Sequence, residues 1–256
     1  MRIRELVDWN IYWFLFMLAE FALLATIPYS ITMSEDFLYD LGVSLPNLLA
    51  TQFIRSTVIL MISVFLGLYL GKKVGFGTPI LNSLSEKREL PSETGSIVKL
   101  SIFIGLVLTV VIFVLDYFVF SMFAEPLIVT LTTPPLWERF LYSLYAGIVE
   151  EVVLRFMLVT LLVWISWKIK KTADGQPTRT GILISILIIS LIYAIGYFLF
   201  NSSATIDQIS ALRFVVINGV AGIVFGCLYW KKGLEASLIA NLTASFMLFV
   251  VLGSFF

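Results

Sequence analysis

Apolar runs long enough to cross a bilayer, about 20 residues each, recur along the whole chain. They fall at about 10–31, 53–71, 98–121, 140–167, 181–200, 209–230 and 233–256. Such runs fold as helices, which satisfy their own backbone hydrogen bonds where no water is present. With 59% hydrophobic and 13% charged residues in 256, the chain carries more apolar surface than a soluble domain of this size needs for its core. The reading is an all-α fold: a polytopic transmembrane helix bundle of about seven spans. An eighth, re-entrant or broken element is expected in 40–55. The first run lacks a small-residue cleavage site and is followed by further spans, so it reads as a retained helix and not as a signal peptide.

Basic residues set the orientation, because short cytoplasmic loops hold the excess of Lys and Arg. Arg2 and Arg4 precede the first run; Lys72, Lys73, Lys87 and Arg88 follow the second; Lys168, Lys170, Lys171 and Arg179 follow the fourth; Lys231 and Lys232 follow the sixth. The intervening loops carry Glu35, Asp36, Asp40, Glu125 and Asp207, with Arg55, Arg139 and Arg213 only at helix edges. A cytoplasmic N-terminus and an outward C-terminus follow. Residues 1–256 read as one integral membrane domain, in the plasma membrane if the source is prokaryotic. Membrane lipid is the first partner, and a net charge of zero gives no reason to expect nucleic acid. Gly219, Gly222 and Gly226 place small residues three and four apart on the sixth run, a stripe that lets another helix come close.

The fourth run contains GIVEEVVLRF, residues 147–156, in which two carboxylates and a guanidinium sit about ten residues from the outer end. Ionisable groups at that depth are costly and turn toward the bundle interior or a hydrated cavity. Glu151 and Arg155, four apart, share a helix face and can pair. Glu150 is rotated about 100° from Glu151 and is left to find water or another helix. One acid is then structural, and the other opens on a cavity. Glu20 and Asp116 are weaker signals: packing hydrogen bonds, the same cavity and a proton path all fit them.

The context LYAGIVEEVVLRFMLVTLLVW, with YAIGY and NLTAS further on, resembles the CAAX-protease and bacteriocin-processing family of intramembrane proteases. That family's signature is Glu-Glu-x-x-x-Arg, then F-x-x-x-H, then H-x-x-x-N or H-x-x-x-D. The likeness covers roughly 136–250 and implies a protease-like core there, acting on a membrane-associated peptide or a prenylated protein. Glu150, Glu151 and Arg155 keep the first motif. Tyr193 and Tyr197 fall on the second motif's phenylalanine and histidine. Asn241 and Ser245 fall on the last motif's histidine and its asparagine or aspartate. Both histidines are replaced, and the chain contains no histidine at all.

The chemistry of those replacements matters. Tyrosine titrates near ~10 and asparagine does not titrate usefully, so neither is a general base for water at neutral pH. Protease-type zinc sites use two histidines and a carboxylate, so no metal or other cofactor is expected. What the resemblance leaves is Glu150 as the water-activating carboxylate, Asn241 and Ser245 as oxyanion donors, and Tyr197 to orient water. Three functions stay open: an impaired homologue that still binds a peptide, an active glutamate-type protease with a modified site, and a small transporter with Glu20, Asp116 and Glu150 on an ion path.

Overall fold

The computed structural model describes residues 6–33, 45–123, 134–201 and 208–255, and these form eight helices without a strand. In chain order they are α1 (Trp9–Met33), α2 (Leu45–Val74), the short α3 (Pro79–Ser85), α4 (Thr94–Met122), α5 (residues 136–169), α6 (Arg179–Asn201), α7 (Gln208–Lys232) and α8 (Leu234–Ser254). Six of them are long and apolar enough to span a membrane, making this an integral, multi-pass membrane protein. The seventh long helix, α5, has the length but carries Glu138, Arg139, Glu150, Glu151 and Arg155. Within the described part of 40–55, where an extra element is expected, the chain forms no separate unit. Residues 45–55 are the first turns of α2, and the eighth helix is α3 instead; residues 40–44 lie outside the described set.

Charge explains which helix takes the centre. α5 packs against α1, α2, α6 and α8, and Glu138, Arg139, Glu151 and Arg155 are all buried. Among the described residues, no other helix buries more than one charged side chain. On α1, Ile11, Leu15, Ala19 and Ala22 point inward while Trp13, Phe14, Met17 and Phe21 face out. Both faces are apolar, as expected where the solvent is a hydrocarbon.

Close approaches fix the other neighbours. A side chain on Gly222 of α7 would bring its first carbon to 2.6 Å from Ser190 Oγ and 3.1 Å from Ser190 Cα on α6. Gly226 meets Ile186 in the same way, whereas Gly219 has no atom of another residue within 4 Å of that position. The glycine stripe is thus a packing seam at two of its three members. Gly105 of α4 and Gly147 of α5 do the same for α8, facing Ala240–Thr243 and Leu242 respectively, so the last helix is wedged between the two.

Turns at one end of the bundle are short. Val74 ends α2 in a left-handed Gly75 (φ 76), and Phe76 N donates to Gly71 O at 3.0 Å, the hydrogen bond of a Schellman stop. A lone Gly233 (φ 93) joins α7 to α8, and Leu234 N donates to Gly77 O. Glu235 accepts from Leu81 N at 2.9 Å, and Lys232 pairs with Glu93. Asp8 caps α1 through Asn10 N and Ile11 N, and accepts from Ser85 Oγ at 2.6 Å. These junctions gather the segments that the basic residues assign to one side.

Two outcomes are expected. Gly222→Leu forces α6 and α7 apart at backbone and lowers stability by about 1–3 kcal/mol, while Gly219→Ala leaves thermal unfolding in detergent unchanged or slightly raised. For Asp8, burial pushes the carboxyl up, but the Ser85 hydroxyl and the Ile11 and Asn10 amides outweigh it and hold the group below 3.8. A depressed folded value means stabilisation that is complete above the unfolded value and is lost as pH falls through the folded one. Asp8→Ala should therefore cost about 1 kcal/mol at neutral pH. Unfolding curves at descending pH should show that cost shrink below roughly pH 4.

Candidate functional site

The acid pair stands where α5 changes its winding. Leu136–Glu150 is α-helical, Glu151–Val159 takes the wider π turn, and Thr160–Ile169 returns to α. π segments inside α-helices are rare and concentrate at functional sites. Apolar periodicity gives no sign of this one.

Glu151 is fully buried. Its Oε1 lies 3.1 Å from Arg155 Nη1 and accepts from Asn241 Nδ2 of α8 at 2.9 Å. The guanidinium nitrogen is close but poorly aligned: Arg155 Nη1 and Glu151 Oε2 lack hydrogen-bond partners among the described residues. Charge attraction in a dry setting, not a directed hydrogen bond, joins this pair. The guanidinium also lies over the Phe225 ring, 5.3 Å from its centroid.

Asn241 ties α8 to α5 twice. Its Nδ2 donates to Ala146 O at 3.1 Å as well as to Glu151, which engages both amide hydrogens. Ser245 Oγ donates to Asn241 Oδ1 at 3.1 Å. Carbonyl and carboxylate oxygens only accept, so these partners fix which way the amide points. Gly147 makes the contact possible, because a side chain there would sit 2.7 Å from Leu242 Cα and hold the helices apart. Sequence spacing suggests that Asn241 and Ser245 keep donors for an incoming oxyanion. The structure instead turns those donors on the protein.

Glu150 has a different environment. It is half-buried, takes a hydrogen bond from the Tyr193 side chain of α6, and feels the charges of Arg155 and Glu151. It lines a cavity of about 140 Å³ together with Arg155, Tyr193, Asn218, Asn241 and Ser245. The rest of the wall is largely apolar, with Phe113, Phe214, Phe225 and Phe249 among its rings. The structure therefore brings together Glu150, Glu151, Arg155, Asn241 and Ser245. The backbone of Tyr197 belongs to α6, and its side chain lies outside the described residues.

A second buried ion pair borders the cavity and is not evident from the motifs. Arg213 of α7 donates through Nε to Asp116 Oδ1 at 2.6 Å, and its Nη2 reaches the same oxygen. Asp116, in a π turn of α4, lines the cavity. In the sequence each charge interrupts an apolar run near the outer end, but nothing there pairs the two. Glu20, by contrast, accepts from Thr57 Oγ1 at 2.6 Å and is not among the lining residues.

These contacts rank the charges by structural role. Arg155→Met leaves Glu151 buried with an uncompensated charge and should cost about 3–5 kcal/mol. Asn241→Ala removes donors from a buried carboxylate and a buried carbonyl and should cost about 1–3 kcal/mol. Glu150→Gln should change stability least of the three. Thermal unfolding of the variants in one detergent checks the order.

Comparison with curated proteins and with solved structures gives no match. The protein-family model described as type II CAAX prenyl endopeptidase Rce1-like matches residues 132–247. That stretch contains every motif residue and most of the cavity lining. Over residues 132–247 the chain is thus similar to the type II CAAX prenyl endopeptidase Rce1-like family.

Proposed function

We propose that this protein is a membrane-embedded homologue of CAAX-type intramembrane endopeptidases in which peptide hydrolysis is impaired, and that its cavity is kept as a binding site for a membrane-borne peptide. The observation that carries this reading is the engagement of Asn241, whose two amide hydrogens are held by Ala146 O and Glu151 Oε1.

Hydrolysis needs a base to activate water and a group that returns the proton to the leaving amine. Glu150 has the position for the first task. For the second, the described residues facing it are Tyr193 and Arg155. Phenol and guanidinium groups are very weak acids, so neither is suited to hand a proton to the leaving amine at neutral pH. Stabilising a tetrahedral oxyanion needs aimed donors, worth about 10²–10³ in rate for each, and the hydrogens of Asn241 and Ser245 point into the protein. The chain has no histidine, the usual ligand of a protease zinc site, and the proposed chemistry is written without a metal. Glu151 and Arg155 act in this reading as the scaffold that sets Glu150. Tyr197, from the same motif, is proposed to border the peptide.

The positions of the other acids weigh against an ion path. Asp116 is neutralised by Arg213, and Glu20 is bonded to Thr57 away from the lining. The test restores imidazole. In nanodiscs, Tyr197→His with Asn241→His should cleave a quenched prenylated peptide at least ~100-fold faster than the natural chain, the scale of general acid–base assistance. Easily measured cleavage by the natural chain, abolished by Glu150→Gln, would overturn the impairment.

A further inference from the structure

We infer that the cavity selects a ligand carrying a primary ammonium group on a small apolar body, and that Glu150 is the group that receives it. The inference rests on the reading of this cavity as a ligand site but not on any remaining hydrolysis.

The charge count carries the argument. Around the cavity stand three carboxylates, Glu150, Glu151 and Asp116, and two guanidiniums, Arg155 and Arg213. Arg213 engages Asp116, and Arg155 lies against Glu151 at 3.1 Å. Arg139 is turned to the carbonyls of Gly253 and Phe249, the nearer at 2.6 Å. Glu150 thus has one guanidinium shared with a second acid and a hydroxyl from Tyr193, which leaves one negative charge in excess. A buried charge without a counter-charge is neutralised by a proton or by a cation from outside.

The walls decide which cation fits. Phe113, Phe214, Phe225 and Tyr142 put aromatic rings around the space, and ring faces attract ammonium groups. A hydrated metal ion would lose its water shell for one carboxylate and a few neutral oxygens, a poor exchange for a hard cation. The volume of about 140 Å³ is close to the roughly 150 Å³ that holds one benzene-sized molecule. Benzylammonium combines a ring with a primary ammonium, and benzyl alcohol is its neutral isostere.

The experiment is calorimetric titration of the full chain in phosphatidylcholine nanodiscs, with empty discs subtracted. Benzylammonium should bind saturably and about tenfold or more tightly than benzyl alcohol, as a charge-assisted hydrogen bond implies. Glu150→Gln should erase that preference, and Glu150→Asp should retain it. Equal binding of amine and alcohol, or a preference that survives in Glu150→Gln, overturns the inference while leaving the cavity as a ligand site. Failure of both probes overturns the ligand site itself. If Glu150→Gln does not fold, the amine–alcohol comparison on the natural chain and on Glu150→Asp decides. Cleavage gained by the double histidine variant without an amine preference would sink this inference alone.

Discussion

A fully buried glutamate held by a guanidinium on its own helix and an amide from another organises the centre of this helix bundle. Glu151 has no exposure, so its charge is tolerable only because Arg155 and Asn241 converge on one of its oxygens. Breaking such an arrangement costs more than forming it gains, because the remaining charge has nowhere to go in hydrocarbon. The consequence is positional. α5 must sit at the centre, α8 must lie against it, and the glycines at 105 and 147 are the small residues that let α8 reach both neighbours.

The adjacent carboxylate inherits its placement from this arrangement. With Glu151 fixed toward α8, the next side chain back along the helix is rotated onto the cavity and α6, where Tyr193 meets it. The π turn begins at Glu151, at the junction between the two acids. Two acids that are neighbours in sequence therefore occupy separate environments: one sealed between helices, the other on a small aromatic-walled space.

Much of this was legible in the residues. Apolar run length marked the long helices, the four-residue spacing marked the Glu151–Arg155 pair, and the motif pattern singled out Asn241 and Ser245. What escaped was directional. Asn241 in a sequence is a donor and an acceptor without a target, and only the approach at Gly147 decides that it bonds Ala146 and Glu151. The Asp116–Arg213 pair needed knowledge that α4 and α7 meet, and no periodicity in two lipid-soluble helices encodes that. The start of α2 at Leu45 was hidden because its early turns, with Asn47, Thr51, Gln52 and Arg55, are too polar to read as part of an apolar run.

The single-residue link at Gly233 bears on how the last two helices can move. α7 ends at Lys232 and α8 starts at Leu234, so the two helices are held side by side by one residue and neither can move far along the bilayer normal without the other. The two helices form one tight hairpin, and it is this hairpin that carries Asn241 to a central helix where Glu151 otherwise has Arg155 alone.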